Sequence, residues 1–133
     1  MISHVFIGVS DFERAMAFYA PVLGALGLTL KFTDVSRPWA GWMKPDQPRP
    51  LFLIGRPFEG DLAVGNGQMT ALLAPDRAAV DSAYAAALAH GGADEGAPGL
   101  RPHYHANYYG AYLRDPDGNK LCVVCHDAPV ATR

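Results

Sequence analysis

The spacing of the hydrophobic residues changes several times along the chain, and each change predicts a new element. Apolar side chains alternate with others over residues 2–9, the period of a half-buried strand. Ser10 and Glu13 then have the spacing of a capping box, which predicts a helix with Ser10 as its N-cap. Apolar residues follow at helical intervals, at Phe12, Met16, Tyr19 and Leu23. Pro21 lies late in this helix and is expected to bend or shorten it.

The same order of elements then occurs a second time. Three short strands complete the first half, at 28–34, 39–44 and 51–54, with a proline-rich turn at 45–50. After a glycine-rich linker come a strand at 68–74, a helix opened by Pro75-Asp76, and strands at 93–100, 108–114 and 121–126. Each half is therefore a strand, a helix and three strands, with a repeat of about 65 residues. This pattern predicts an α+β fold with a helix on only one face of each sheet.

Composition narrows the classes of protein to consider. The 133 residues are long enough for one domain with a sizeable core, and the formal net charge is −2 without any block of Lys or Arg. Nucleic acid is therefore not an expected partner. No apolar run is long enough to cross a bilayer and no signal peptide is visible, so a cytoplasmic location without membrane association is expected. Cys122 and Cys125 would point to opposite faces of a strand, which favours two free thiols.

The end of the chain carries a resemblance to a known superfamily. Two strand-like runs between Tyr108 and His126 flank the turn Pro116-Asp117-Gly118-Asn119, and this hairpin resembles the last hairpin of the vicinal-oxygen-chelate superfamily. That superfamily contains glyoxalases, extradiol dioxygenases, fosfomycin-resistance enzymes and bleomycin-binding proteins. Further strings in the expected order include Ile2-Ser3-His4-Val5, the helix string Arg14-Ala15-Met16-Ala17-Phe18-Tyr19 and Leu51-Phe52-Leu53-Ile54-Gly55-Arg56-Pro57.

The resemblance implies a fold and an assembly. The chain is most similar to small stand-alone glyoxalase/bleomycin-resistance-like proteins, which implies a single domain over residues 1–133. It would contain two βαβββ modules, at about 1–57 and 66–128, whose curved sheets pair around a cavity. Members of the family bind small molecules in that cavity and are often homodimers. A small-molecule ligand and a homodimer are therefore the expected partners.

The resemblance also implies where a metal would bind, and the chain departs from the family there. His4 matches the first ligand position of the family, whereas Met69 stands where many relatives have His and Cys122 where they have Glu. Phe52 occupies a further position that some members use. Thioether sulfur is a poor ligand for Zn²⁺, Mn²⁺, Ni²⁺ or Fe²⁺, so no metal cofactor is expected. Two alternatives stay open: an atypical divalent metal site at His4, and a soft Cu(I) set of His4, Met69 and Cys122.

A polar and aromatic segment precedes the last hairpin. His103, Tyr104, His105, Tyr108 and Tyr109 lie within it, and relatives often carry a similar string at the mouth of the cavity. His105, Tyr108 and also His4 are the candidates for acid/base catalysis, whereas His103, Tyr104 and Tyr109 are candidate ligand contacts. The competing interpretation is a polar loop with aromatic anchors.

Two further residues are candidates for the same ligand site. His126 shares a strand face with Cys122 and would reach the rim of the cavity. Trp42 is a candidate aromatic wall of the ligand site, with an ordinary core position as its alternative.

Three functions follow from these residues. The first is a binding protein for a small molecule, without the usual metal. The second is a lyase or dioxygenase, similar to lactoylglutathione lyases, with an atypical metal site or metal-free acid/base chemistry. The third is a non-catalytic dimeric interaction protein. The departures at Met69 and Cys122 favour the first.

Overall fold

A computed structural model describes residues 1–129, and their elements follow the predicted order. The first half contains β1 (His4–Gly8), α1 (Phe12–Ala25), β2 (Thr29–Asp34), β3 (Trp39–Lys44) and β4 (Gln47–Gly55). The second half contains β5 (Thr70–Leu73), α2 (Arg77–Ala89), β6 (Ala93–Leu100), β7 (Tyr109–Arg114) and β8 (Lys120–Cys125). In this part of the chain neither helix has the length and apolar composition that a membrane span requires.

The two sheets have the same topology. The strand order is β1-β4-β3-β2 in the first and β5-β8-β7-β6 in the second. In each sheet the first strand pairs in parallel with the last, and the remaining pairs are antiparallel. A strand that pairs in parallel with a later strand needs a long connection, which the helix and two intervening strands provide. The predicted α+β fold of two βαβββ modules is confirmed.

Two local details differ from the sequence prediction. Asp11, not Ser10, is the N-cap of α1, and its carboxylate accepts the backbone N–H of Arg14 at 3.1 Å. Ser10 instead donates its hydroxyl to Asp117, over a separation that local sequence does not reveal. The predicted turn at 45–50 is also wrong in part, because β4 begins at Gln47. β4 pairs with β1 only from Leu51 onward, so Pro48 and Pro50, which lack a backbone N–H, remove no hydrogen bond from that pairing.

Glycines near residue 25 determine where α1 ends. The helix continues to Ala25, so Pro21 does not end it. Gly27 has a φ of +83°, the left-handed conformation that glycine adopts without steric cost. The N–H groups of Gly27 and Leu28 close the helix by donating to the carbonyls of Gly24 and Leu23.

The core lies between the helices and one face of each sheet. Both helices pack on that side and contact each other. The core residues alternate along the strands, so Leu121, Val123 and Cys125 of β8 face the helices. Cys122 is fully buried, yet it lies outside this core cluster because it points to the opposite face. Both cysteines are free.

A buried polar network joins the two modules. Asp115 is 3% exposed, and its two carboxylate oxygens accept four hydrogen bonds. One comes from the hydroxyl of Tyr19 on α1, at 2.6 Å, and the others from the backbone of Asp117 and from the backbone and side chain of Asn119. The Asn119 amide also donates to the carbonyl of Gly8 at 2.9 Å. Burial first, and the Asp115 carboxylate second, raise the pKa of Tyr19. The turn that carried the resemblance thus fixes one module against the other.

Candidate functional site

The candidate site lies on the face of the second sheet that the helices leave free. Cys122 of β8 is opposite Tyr112 of β7 in the antiparallel register. The hydroxyl of Tyr108 lies 2.9 Å from the hydroxyl of Tyr112 and 3.5 Å from the sulfur of Cys122. These three side chains, the tyrosine–cysteine cluster, form because residues four apart share a strand face and cross-strand partners meet.

All three groups of the tyrosine–cysteine cluster are protonated at neutral pH. Burial raises the pKa of Tyr108 far above its ordinary value, and its hydrogen bonds to Cys122 and Tyr112 raise it further. Burial also raises the pKa of Tyr112. The pKa of Cys122 is raised by burial, against smaller lowering effects from Tyr108, Tyr112, Arg101 and Lys120. The cluster therefore offers O–H and S–H donors, and neither a phenolate base nor a thiolate nucleophile.

The loop before β7 places a row of rings beside the cluster. The ring centroids of His103 and Tyr104 are 4.3 Å apart, and those of Tyr104 and Tyr108 are 4.8 Å apart. Backbone hydrogen bonds from Tyr104 to Arg101 and from Tyr108 to His105 hold the loop in this shape. Most of these rings are exposed, so their faces are available for stacking with a planar ligand.

Two histidines close one end of this row. His105 Nε2 lies 2.8 Å from His126 Nδ1, and His105 Nδ1 accepts the backbone N–H of Asn107 at 3.2 Å. Because Nδ1 of His105 is an acceptor, its proton is on Nε2 and is donated to His126. The ring of Tyr108 lies 5.3 Å from that of His126 and 5.7 Å from that of His105.

The structure brings together part of the predicted site. His103, Tyr104, His105, Tyr108 and Cys122 lie in one neighbourhood, linked by the contacts above. His126, which the sequence had placed at the rim, joins them through His105.

Two of the predicted ligand contacts lie elsewhere. Trp42 is 2% exposed and belongs to the hydrophobic core, so it forms no wall of an open site. Tyr109 follows Tyr108 along the chain and points to the opposite face, where its hydroxyl donates to Asp81 of α2 at 2.6 Å. Its ring also lies under the guanidinium of Arg77. Alternation along β7 explains why only one of two adjacent tyrosines faces the site.

The residues at the family's ligand positions do not fit the usual metal site. His4 is exposed, and its Nδ1 bonds to the hydroxyl of the adjacent Ser3 at 2.9 Å. Met69 precedes β5 and is 46% exposed, whereas the sulfur of Cys122 is in contact with Tyr108. Within residues 1–129, no three His, Cys, Asp or Glu side chains are grouped as a metal would require. A neutral thiol and a thioether are unsuited to hard divalent ions.

A cleft of about 170 Å³ lies where the two modules meet. Phe6 of β1 and Met69 line it, together with Asn119 and Lys120 at the start of β8. The ammonium group of Lys120 is also 5.8 Å from the ring centroid of Tyr112. Lys120 therefore connects this cleft with the tyrosine–cysteine cluster.

Three residues of this neighbourhood were missed by the sequence analysis. They are Tyr112, which belongs to the tyrosine–cysteine cluster, and Arg101 and Lys120, which lie beside it. Tyr112 was accessible to prediction, because it is four residues from Tyr108 and opposite Cys122 across a recognised hairpin. The position of the Arg101 side chain was not, since this long charged side chain folds back along the preceding strand, β6.

Comparison with known proteins agrees with this architecture. A family model described as the Glyoxalase/Bleomycin resistance protein/Dioxygenase superfamily matches residues 1–123. The structure of a glyoxalase/bleomycin resistance protein from Albidiferax ferrireducens T118 is 35% identical with a TM-score of 0.83. That match covers 93% of this chain and 98% of that one.

More distant structures share the fold. A family enzyme from Burkholderia phytofirmans PsJN is 21% identical, with a TM-score of 0.66 and coverage of 94% of this chain and 98% of its own. Lactoylglutathione lyase from Agrobacterium tumefaciens is 24% identical, with a TM-score of 0.63 and coverage of 94% and 92%. A search of curated proteins found no match.

Proposed function

Since this chain belongs to the glyoxalase/bleomycin resistance protein/dioxygenase superfamily, we propose that it binds a small organic molecule beside its tyrosine–cysteine cluster, without a divalent metal. The observation that carries the proposal is the contact of Tyr108 with both Tyr112 and Cys122, on the free face of the second sheet. Cys122 stands at the position where metal-dependent relatives have their carboxylate ligand. Two phenol hydroxyls and a neutral thiol here supply hydrogen bonds in place of metal coordination.

The ligand would be held by a mixture of stacking and hydrogen bonding. The rings of His103 and Tyr104 continue from Tyr108 toward solvent and offer faces to an aromatic or otherwise planar compound. The hydroxyls of Tyr108 and Tyr112 would orient the polar end of that compound. Met69 and Phe6 line the adjoining cleft and would contact an apolar part.

A metal-free enzyme is the second candidate, and one observation favours it. The hydrogen-bonded pair of His105 and His126 lies beside Tyr108, so a histidine able to accept or release a proton adjoins the proposed ligand. In this alternative Nδ1 of His105 would give up its hydrogen bond from the Asn107 N–H to act as the base, and Tyr108 would donate to a developing oxyanion. His4, whose side chain is exposed and bonds to the hydroxyl of the adjacent Ser3, has no part in this alternative.

We also propose that the chain forms a homodimer. Leu73 of β5 is 69% exposed, although its register partner Val124 and the nearby Cys122 are buried. β5 is an edge strand of the second sheet, so a large apolar side chain here is open to a second copy. Light scattering after size exclusion tests this, and a dimer should dissociate with Leu73→Lys. A wild-type monomer at high concentration would refute it.

A ligand screen by thermal unfolding tests the binding function. Chelator-treated protein should be stabilised by members of a panel of small aromatic compounds, because a ligand that binds only the native state raises its stability. Stabilisation should fall in Tyr108→Phe and Tyr112→Phe, which keep the rings and remove the hydroxyls.

Tyr84→Phe is the matched control for this screen. Tyr84 also donates its hydroxyl to a side chain, that of Asp94, but it lies on α2 outside the site. Equal stabilisation of all three variants, or none of the wild type, would refute the proposal.

A further inference from the structure

Two cations flank the tyrosine–cysteine cluster. The guanidinium carbon of Arg101 lies 5.7 Å from the ring centroid of Tyr112, and the ammonium nitrogen of Lys120 lies 5.8 Å from the same centroid. Both cations also lower the pKa of the Cys122 thiol against the larger effect of burial, in keeping with their closeness to it. The chain as a whole has a formal net charge of −2, so this concentration of positive charge is a local feature.

No described acidic side chain neutralises either cation. The ion pairs within residues 1–129 join Arg14 to Asp117 and Arg114 to Glu95, and neither involves Arg101 or Lys120. Contact with a tyrosine ring attracts a cation but leaves its charge in place. Arg101 donates to the backbone carbonyls of Ala97 at 2.8 Å and of Leu100 at 3.5 Å. These bonds use two of its five N–H groups and leave the other three for a ligand.

The strand before Arg101 is shaped to hold its guanidinium. A Cβ atom at Gly99 would lie 3.0 Å from Arg101 Nη1, and one at Gly96 would lie 3.3 Å from Nη2 and 3.2 Å from the ring of Tyr112. The two glycines of β6 thus leave the space in which the guanidinium meets the ring. This accounts for glycines in the interior of a strand, where they otherwise weaken it.

We infer that the ligand of this site is an anionic aromatic compound, whose carboxylate, sulfonate or comparable group is held by Arg101 and Lys120. The inference rests on the proposed binding function and specifies its ligand class. The hydroxyls of Tyr108 and Tyr112 suit the same class, because an O–H group can donate a hydrogen bond to an anion. The neighbouring rings of Tyr104 and His103 would stack with the aromatic part.

A matched pair of dyes tests the inference. 8-Anilinonaphthalene-1-sulfonate (ANS) carries a sulfonate on the ring framework of N-phenyl-1-naphthylamine (NPN), which is neutral. The folded, chelator-treated protein should bind ANS about tenfold more tightly than NPN, as two partly exposed cations acting on one anion allow. Added salt should weaken the binding of ANS and leave that of NPN unchanged.

Charge variants show which residues cause the preference for ANS over NPN. Arg101→Gln and Lys120→Gln should each weaken ANS about fivefold, near the upper limit for a solvent-accessible ion pair, without affecting NPN. Arg101→Lys should retain part of the effect because it keeps the charge. Lys31→Gln, which removes an exposed lysine of β2 in the first sheet, is the control and should change neither dye. Gly99→Ala should weaken ANS by displacing the guanidinium.

The outcomes separate this inference from the function on which it rests. If both dyes bind equally, or if the Gln variants weaken both alike, the anionic ligand class is wrong and the binding site stands. If neither dye binds, or if binding of both survives Tyr112→Ala unchanged, the site itself is wrong and the ligand class falls with it. A thermal melt of each variant shows whether it is folded before the titration is interpreted.

Discussion

Removing the hydroxyl of Tyr19 should destabilise the protein, because that hydroxyl joins the two modules. It donates to Asp115 at 2.6 Å, both residues are almost fully buried, and the ring packs against Phe18 and Phe52. Tyr19→Phe keeps the ring contacts and removes the hydrogen bond to a charged group. A bond of this kind contributes about 1.5–3 kcal/mol to the free energy of unfolding. Asp115 keeps its three other donors, so the loss should not exceed this range.

The expected change is large enough to measure by two methods. An unfolding entropy of about 2.1 cal/mol/K per residue gives about 0.28 kcal/mol/K for a chain of this length, so the loss corresponds to a fall in Tm of about 5–11 °C. Urea denaturation should give a lower midpoint with an unchanged m-value, because the surface exposed on unfolding is the same. The two measurements should agree on the free energy lost.

Tyr84→Phe is the matched control for this change. Tyr84 also donates to an aspartate, at 2.9 Å to Asp94, but the pair is open to solvent, so water replaces the lost bond. The account predicts a clearly smaller loss than for Tyr19→Phe. Equal losses in the two variants, or a Tyr19→Phe variant as stable as the wild type, would refute the assignment of the buried network as the link between modules.

Further predictions concern the helix ends and the thiols. Gly27→Ala should lower the free energy of unfolding by about 1 kcal/mol, because φ is +83° there. Gly24 lies inside α1 with open space around it, so Gly24→Ala should raise the free energy of unfolding by about 0.5–1 kcal/mol. Thermal melts compare the two variants. Asp11→Ala should cost about 1 kcal/mol in the same assay, as the loss of an N-cap. Burial raises the pKa of the Cys122 thiol, so this thiol should react slowly with 5,5′-dithiobis(2-nitrobenzoate) at neutral pH. The reaction rate should rise only at alkaline pH, beyond the ordinary thiol pKa. The Cys125→Ala variant isolates the signal of Cys122, and rapid reaction at neutral pH would contradict the prediction.

The element order was predictable from the sequence because it depends on local periodicity. Alternation and helical spacing each repeat along the chain, and the second half copies the order of the first. The ends of helices and strands were harder to predict wherever a contact with a distant residue decides them. Ser10 and Asp11 are both good N-cap residues, and the bond from Ser10 to Asp117 leaves the cap to Asp11.

The candidate site could be predicted only in part, because strand geometry and contacts between distant residues decide which side chains face it. The family resemblance pointed to Cys122 and to the loop before β7, and these do lie together. The choice between Tyr108 and Tyr109 depended on a strand boundary, because a shift of one residue exchanges the two faces. The burial of Trp42 depended on which face of the first sheet α1 covers. The bond between Tyr19 and Asp115 spans most of the chain, and no local pattern encodes it.

The proposed ligand site needs no metal, and one titration tests this directly. ANS is added to chelator-treated wild-type protein, with and without added Zn²⁺, Ni²⁺ or Mn²⁺, and to Tyr108→Phe with Tyr84→Phe as control. The account predicts saturable binding that metals leave unchanged, that Tyr108→Phe weakens and that Tyr84→Phe does not affect. Binding that appears only with a metal, or that is lost in His4→Ala rather than in Tyr108→Phe, would contradict it.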